Sequence, residues 1–492
     1  MRGSGILLPI TSIPSKYGIG CFSKESYEFV DFLASAGQKY WQVLPMGPTG
    51  YGDSPYQSFS TFAGNPYFVD IEEFIEKKWI SRKDCESRDW GADPEKVDYE
   101  KIYKSRFKIL KKAFLKSKIS EDKDFIKFTK ENKFWLDDYA LFMALKENFK
   151  GKSFIYWPDE IRKHSKPAIK KYADDPKYSD ELMCYKFIQY YFYKQWFELK
   201  NYANEKGIKI IGDIPLYVAY DSADTWSNPE LFQLDDNNDP TGVAGCPPDY
   251  FSATGQLWGN PLYDWDYHKK TGYAWWISRL KMCFSLYDVV RIDHFRGFES
   301  YYNIPYGDAT AEFGHWEKGP GYDFFAAVKK ALGKKEIIAE DLGYLTPAVF
   351  KLVDKTGFPG MKVLQFAFDC NEENNYLPHN YNKNCVVYTG THDNDTSVGW
   401  YESAGAKDKK FARDYMGIKS AKNFHYVLIR HAMMSVADTA IIPMQDYLGL
   451  GSEARINTPS TLGGNWCWRM KPDAYTKNLA ESIREMTVLY GR

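Results

Sequence analysis

Eight short apolar segments recur along the chain, and each one is followed by polar residues. They are rich in β-branched and aromatic residues, which is typical of strands that are buried on both faces of a parallel sheet. We therefore predict eight buried parallel strands. They cover residues 6–10, 40–44, 209–214, 289–294, 336–340, 363–367, 385–389 and 439–444.

The segments between these strands carry the signals of helix ends. Thr346 can cap a helix that has Pro347 at its first position and Gly357 just after its end. A further helix is predicted at 424–436, directly before the last strand. Strands that alternate with helices predict an α/β fold, and eight of them predict a (β/α)8 TIM barrel.

The predicted strands are unevenly spaced, because two long segments separate them. Residues 48–207 are far longer than one crossover needs, and their helical patterns predict a mostly helical subdomain inserted after the second strand. A second insertion is predicted at 218–287, after the third strand. The chain, 1–492, is then a single barrel domain with two large insertions.

The composition excludes several classes of partner. The 64 basic and 65 acidic residues nearly cancel, which argues against nucleic acid or an anionic membrane as the main partner. No apolar run is long enough to span a bilayer, and the N-terminus resembles neither a signal nor a transit peptide. Eight scattered cysteines without a C-x-x-C pair predict no zinc site and fit a reduced, cytoplasmic location.

Carboxylates follow four of the predicted strands, at the end where barrel enzymes place their chemistry. Burying so many charges costs free energy unless they are paired or used, which favours a catalytic set over isolated helix caps. Two such groups on opposite sides of an anomeric carbon suit glycosidic bond chemistry. The four motifs are Gly212-Asp213-Ile214-Pro215, Arg291-Ile292-Asp293-His294, Ala339-Glu340-Asp341-Leu342-Gly343 and Thr391-His392-Asp393-Asn394-Asp395.

Together these motifs resemble those of the α-amylase clan. Within it, the whole chain is similar to the 4-α-glucanotransferases called amylomaltases or disproportionating enzymes. Four further motifs support the resemblance, in the same order along the chain. They are Gly52-Asp53-Ser54-Pro55-Tyr56-Gln57, Pro247-Pro248-Asp249-Tyr250-Phe251, Gly255-Gln256-Leu257-Trp258-Gly259-Asn260-Pro261 and Asn457-Thr458-Pro459.

The resemblance implies a retaining double displacement. Asp293 would be the nucleophile that forms a covalent glycosyl-enzyme, Glu340 the general acid and then base, and Asp395 the group that grips sugar hydroxyls and stabilises the transition state. Arg291 would position Asp293. The implied substrate-binding residues are His294, His392 and Asp213 at the glucose beside the cleaved bond, and Tyr56, Asp249, Trp258, Asn465 and Phe366 along the glucan.

The same resemblance implies the substrates. Segments of malto-oligosaccharides, amylose or starch would pass to an acceptor such as glucose, with no cofactor and no metal, and the second insertion would carry the glucan-binding loop. An α-1,4-glucan hydrolase of the α-amylase type and a non-catalytic glucan-binding protein stay open as alternatives. After the last strand there is no room for the C-terminal β-sandwich of about 100 residues that α-amylases carry, which favours the transferase branch.

Overall fold

The computed structural model describes residues 2–50, 52–248, 252–343, 345–369 and 374–492. Within them, strands form one parallel and one antiparallel sheet. In chain order the strands are β1 (Gly3–Leu7), β2 (Tyr40–Gln42), β3 (Lys209–Ile214), β4 (Gly242–Cys246), β5 (Gln256–Pro261), β6 (Val289–Ile292), β7 (Ser300–Pro305), β8 (His315–Lys318), β9 (Ile337–Ala339), β10 (Gly360–Val363), β11 (Cys385–Tyr388) and β12 (Thr439–Pro443).

The parallel sheet is a near-closed barrel. Its strand order is β10-β11-β12-β1-β2-β3-β6-β9, so each strand lies beside its neighbour among the barrel strands of the sequence. Where the sheet closes, the amide of Ala339 donates to the carbonyl oxygen of Pro359 over 2.9 Å. With helices around the strands, the predicted (β/α)8 architecture is confirmed.

Helices connect the barrel strands and fill the long segment between β2 and β3. No helix of the described part of the chain is long and apolar enough to cross a membrane. The α-helices are Lys24–Ser35, Glu72–Glu76, Arg82–Glu86, Tyr99–Ser117, Lys123–Glu131, Lys133–Asn148, Asp159–Arg162, Lys166–Ala173, Ser179–Glu205, Ala223–Ser227, Trp265–Lys270, Ala274–Leu286, Gly321–Leu332, Pro347–Thr356, Ser397–Ser403, Ala406–Met416, Phe424–Met434, Met444–Leu448 and Lys477–Leu489.

Two of the predicted strands are displaced along the sequence. The first is β1 rather than 6–10, and the sixth is β10 rather than 363–367. The apolar run after β10 instead forms a short 3₁₀-helix, Leu364–Phe368, whose Leu364 and Ala367 are fully buried. A continuous apolar run reports burial, and burial alone does not distinguish a strand from a tight helical turn.

Both segments predicted as insertions end in a helix that covers the barrel. Ser179–Glu205, at the end of 48–207, packs against β3 and against helix Lys24–Ser35. Ala274–Leu286, at the end of 218–287, packs against β3 and β6. The material that is added to the barrel therefore precedes these two helices.

The antiparallel sheet draws its strands from two crossovers. Its order is β5-β4-β7-β8; β4 and β5 precede barrel strand β6, whereas β7 and β8 follow it. The sequence analysis predicted none of these four strands. Strand β8, for example, is mostly exposed and shows no apolar alternation. This sheet places Trp258, in β5, next to the segment that follows β6.

A buried carboxylate in the short helix Ala223–Ser227 gives the protein a pH-dependent stability. Asp224 is 4% exposed, and its Oδ2 accepts a hydrogen bond from the amide of Thr61 over 2.7 Å. Burial raises the pKa of Asp224 from its ordinary value of 3.8 to about 6. The folded protein therefore keeps a proton that the unfolded chain releases, and stability from this group is lost as the pH rises from about 4 to about 6.

We expect Asp224→Asn to be more stable than the parent at pH 7, by about 1–3 kcal/mol. Asparagine cannot ionise, and its carbonyl oxygen can still accept the bond from Thr61. Thermal unfolding of both proteins between pH 4 and pH 7 measures the difference, with Asp266→Asn at an exposed site as the control for loss of one charge. An unchanged difference across this pH range contradicts the prediction.

Candidate active site

The carboxyl ends of four barrel strands, β3, β6, β9 and β11, bring polar side chains to one mouth. Asp213 lies in β3 and pairs in register with Arg291 of β6, while Asp293 follows β6 directly. Glu340 follows β9, and His392 lies in the turn after β11. Residues distant in the sequence thus meet because parallel strands end at the same edge.

Arg291 is the cation at the centre of this mouth. Its side chain is 4% exposed, and Nη1 contacts both oxygens of Asp213 at 2.8 and 2.7 Å and Oδ1 of Asp293 at 3.1 Å. Burial lowers the pKa of Arg291, but the charges of the two aspartates outweigh burial and raise this pKa overall. Arg291 and Asp293 face the same side, as the alternation of a strand requires.

Asp213 is used for orientation within the protein. Its side chain is fully buried, and besides Arg291 it accepts a hydrogen bond from the hydroxyl of Tyr56 at Oδ2 over 2.9 Å. The ring of Tyr56 stacks on His392, with centroids 5.2 Å apart and planes 16° apart. With both oxygens engaged, Asp213 holds Arg291 and Tyr56 in place.

Glu340 is held by two backbone amides. Its Oε2 accepts from the amide of His294 over 2.7 Å, and its Oε1 accepts from that of Leu342 over 2.8 Å. Burial raises the pKa of Glu340, although Arg291 and the two amides oppose the rise. Burial also raises the pKa of Asp293 well above its usual range, against the opposing charge of Arg291. Burial therefore favours the protonated form of both carboxyls, and the charge of Arg291 opposes it.

His294 offers an unsatisfied nitrogen beside this pair. Its φ is +50°, because β6 has already ended at Ile292, and its ring lies edge-on to Trp258 with centroids 4.8 Å apart. Burial lowers its pKa to about 3, so the imidazole is neutral. Its buried Nε2 has no partner in the part of the chain that the structure describes, which suits it to bind a hydroxyl group.

Asp395, which the sequence analysis proposed as the third carboxylate, has both oxygens engaged by neighbouring residues. Its Oδ1 accepts from the amide of Thr396 and its Oδ2 from the hydroxyl of Ser452, each over 2.7 Å. These contacts turn the carboxylate towards the start of helix Ser397–Ser403. Residues 393 and 395 are both aspartates after a strand, and they differ in the partners that their carboxylates contact.

Asp393 is the carboxylate that the sequence analysis did not assign. After burial, Glu340 and Asp213, its negative charge also raises the pKa of Asp293, so it lies within electrostatic reach of the pair. Its side chain is 45% exposed, and its Oδ1 lies 3.4 Å from Nε2 of His392. Its position directly after His392, at the strand end, is the one sequence signal that distinguishes it from Asp395.

Three further residues were predicted to lie along the glucan, and the structure describes the surroundings of two of them. Phe366, in the 3₁₀-helix after β10, lies edge-on to Tyr376 with centroids 5.5 Å apart. Asn465 uses its amide within its own loop, since Oδ1 accepts from the amide of Thr458 over 3.0 Å and Nδ2 donates to Thr461. Asp249 lies outside the described residues.

The arrangement contains the parts of a glycosyl-transferring site. Two carboxyls share a buried mouth, one of them beside a guanidinium, and neutral histidine and aromatic rings surround them. Such a pair can attack an anomeric carbon from one side and protonate the leaving oxygen from the other. No group of three or more His, Cys, Asp or Glu side chains among the described residues is arranged to hold a metal ion.

Comparisons with known proteins show which family the chain belongs to. The model of the 4-alpha-glucanotransferase family matches residues 8–476. The chain is 52% identical over 485 residues to a 4-alpha-glucanotransferase of Clostridium butyricum, covering 98% of this chain and 99% of the relative. It is 49% identical over 494 residues to a 4-alpha-glucanotransferase of Streptococcus pneumoniae, covering 100% of this chain and 97% of the relative.

A solved structure gives the same result for the fold. Amylomaltase from Streptococcus agalactiae, in complex with acarbose, superposes with a TM-score of 0.97 and 43% sequence identity over the full length of both chains. The resemblance inferred from the motifs is thereby confirmed. The chain belongs to the 4-alpha-glucanotransferase family, and its activity is transglycosylation.

Proposed function

We propose that the protein moves α-1,4-linked glucan segments from malto-oligosaccharides, amylose or starch to an acceptor sugar, with glucose among the acceptors. The relatives share the activity by name, and the similar amylomaltase structure holds acarbose. The observation that carries the proposal is the pair of Asp293, held by Arg291 at 3.1 Å, and Glu340, held by two amides. A cytoplasmic location is part of the proposal.

Asp293 is the proposed nucleophile. A carboxylate oxygen of Asp293 forms a bond to the anomeric carbon while the glycosidic bond breaks, and Glu340 gives its proton to the departing oxygen. In the second half, a hydroxyl of the acceptor attacks the same carbon, Glu340 takes the hydroxyl proton, and Asp293 leaves as a carboxylate. Two displacements retain the anomeric configuration.

The proposed order of proton transfers places the proton on Glu340 and the negative charge on Asp293, which lies 3.1 Å from Arg291. Burial raises the pKa of Glu340, which favours its acid form before the first step. Forming the ester removes the negative charge of Asp293. Without that neighbouring charge the pKa of Glu340 falls, so the same group can serve as the base in the second step.

We propose Asp393, in place of Asp395, as the carboxylate that grips sugar hydroxyls in the transition state. Its charge acts on Asp293, whereas both oxygens of Asp395 are engaged elsewhere. His294, His392 and Asp213 remain candidates for the glucose beside the cleaved bond. The proposed lining along the glucan is Tyr56, Asp249, Trp258, Asn465 and Phe366.

The domain organisation is proposed as one barrel over 1–492 that carries two insertions. The first is the helical part of 48–207 that precedes Ser179–Glu205. The second lies within 218–287 and carries the glucan-binding loop, because β5 places Trp258 edge-on to His294.

Incubation with maltotriose alone tests the proposed function. We expect a ladder of longer oligosaccharides together with free glucose, because an acceptor sugar intercepts the glycosyl-enzyme before water does. The same products are expected with a strong chelator, since the proposed steps use no metal. Maltose and glucose alone indicate a hydrolase, and binding without turnover indicates a glucan-binding protein; either result contradicts the proposal.

A further inference from the structure

A short segment after the last barrel strand holds the loop that carries Asp393. The side-chain amide of Asn457 donates through Nδ2 to Oδ1 of Asp393 over 2.7 Å. Arg455 donates through Nη2 to the backbone oxygen of Asp393 over 2.8 Å, and the amide of Asn457 donates to the backbone oxygen of His392 over 3.1 Å. Three hydrogen bonds thus join this segment to two adjacent residues of the site.

The holding segment is itself fixed in place. Arg455 also donates through Nε to the backbone oxygen of Asn457 over 2.8 Å, so its guanidinium bridges the two segments. Ile456, between them, is buried, and its carbonyl oxygen accepts from the amide of Trp466. The ring of Trp466 in turn lies against His392, with centroids 5.9 Å apart.

These contacts leave one oxygen of Asp393 available to a ligand. Oδ1 is engaged by Asn457 and lies near His392, whereas Oδ2 makes no hydrogen bond within the described part of the chain. The side chain is 45% exposed, so burial alone does not select its rotamer. A charge-assisted hydrogen bond from a fixed amide does select it.

We propose that Asn457 is a positioning residue, which fixes the Asp393 carboxylate so that its second oxygen meets a sugar hydroxyl as the transition state forms. The proposal rests on the role proposed above for Asp393. An amide suits this position, because it donates to the carboxylate without neutralising it. The motif Asn457-Thr458-Pro459, which had no assigned role, thereby acquires one for its first residue.

Asn457→Ala is expected to lower kcat for maltotriose disproportionation by about 10- to 100-fold, with a KM within about threefold of the parent. Asn457→Asp places a second carboxylate against Asp393. Repulsion then favours the protonated form of Asp393, so the acidic limb of the kcat/KM profile should move to higher pH.

Asn204→Ala is the matched control. Asn204 makes the same kind of bond, from Nδ2 to Oδ2 of Asp288 over 2.9 Å, but at the other end of β3 and β6. We expect it to leave kcat and the pH profile unchanged. If both variants lose kcat equally, and the loss follows the fall in melting temperature, the bond of Asn457 is merely structural and the proposal is overturned.

A double-mutant cycle separates the positioning role from its premise. In an Asp393→Ala background, Asn457→Ala should have no further effect on kcat, because its target is gone. Additive losses overturn the positioning role, as does a kcat of Asn457→Ala within twofold of the parent. If Asp393→Ala alone keeps full activity, the role proposed for Asp393 fails and this inference fails with it, whereas the maltotriose ladder still stands.

Discussion

Asp293→Ala is expected to lower kcat/KM for maltotriose disproportionation by at least about 10⁴-fold. The change removes the atom that forms the covalent bond, and water or another side chain does not replace it in the crowded mouth. Arg291 keeps its contacts with Asp213, so the barrel end should stay folded. Product analysis measures the loss, and calorimetry with acarbose checks that the site still binds a ligand.

A covalent intermediate gives this prediction a second readout. With a glycosyl fluoride donor the leaving group needs no proton, so Glu340→Gln should still form the glycosyl-enzyme. Without its general base, the variant should then pass the glycosyl group to an acceptor only slowly. Mass spectrometry should show one added glycosyl unit, and the same variant with Asp293→Ala should show none. Asp266→Ala, at an exposed position, is the control for a lost aspartate. Residual activity of Asp293→Ala above about 1% argues against its role as the nucleophile.

Asp393→Ala is expected to lower kcat/KM by about 10³-fold, and Asp395→Ala by less than about 10-fold. Asp393 acts on the electrostatics of Asp293 and has an oxygen available to a sugar hydroxyl. Asp395 instead holds Thr396 and Ser452, so its removal should cost about 0.5–2 kcal/mol of stability. Kinetics and thermal unfolding of the two variants separate these effects.

Asp393→Asn refines the comparison, because it keeps the shape of the side chain and removes its charge. A loss as large as that of Asp393→Ala assigns the effect to the carboxylate, as charge stabilisation requires. The reverse ranking, with Asp395→Ala inactive and Asp393→Ala active, returns the third acidic role to Asp395 and removes the basis for a positioning role of Asn457.

The barrel was predictable because its signal is local. Buried parallel strands are continuous apolar runs, and six of the eight begin and end within about two residues of their predicted bounds. The sixth run was misplaced because burial in the 3₁₀-helix Leu364–Phe368 leaves the same pattern as burial in a strand. Strand β8 escaped prediction because it is mostly exposed and shows no apolar alternation.

The site was predictable to the level of strand ends, and no further. Asp293 and Glu340 follow β6 and β9 directly, so their place at the mouth follows from parallel pairing alone. The turn after β11 contains two aspartates, and the sequence does not decide which of them has the third acidic role. The direction of a side chain in a turn depends on tertiary contacts, such as that of Ser452 with Asp395. Asn457 gave no chemical signal, because its partner lies 64 positions away.

By itself, the sequence determined the architecture, the family and the strand ends at which chemistry occurs, since these depend on periodicity and on residue types at local positions. Only the tertiary structure decided that Asp213 is buried against Arg291, that neighbouring residues engage both oxygens of Asp395, and that Asn457 holds Asp393. The direction of a polar side chain is set by hydrogen bonds to distant segments, and those partners become neighbours only when the barrel closes.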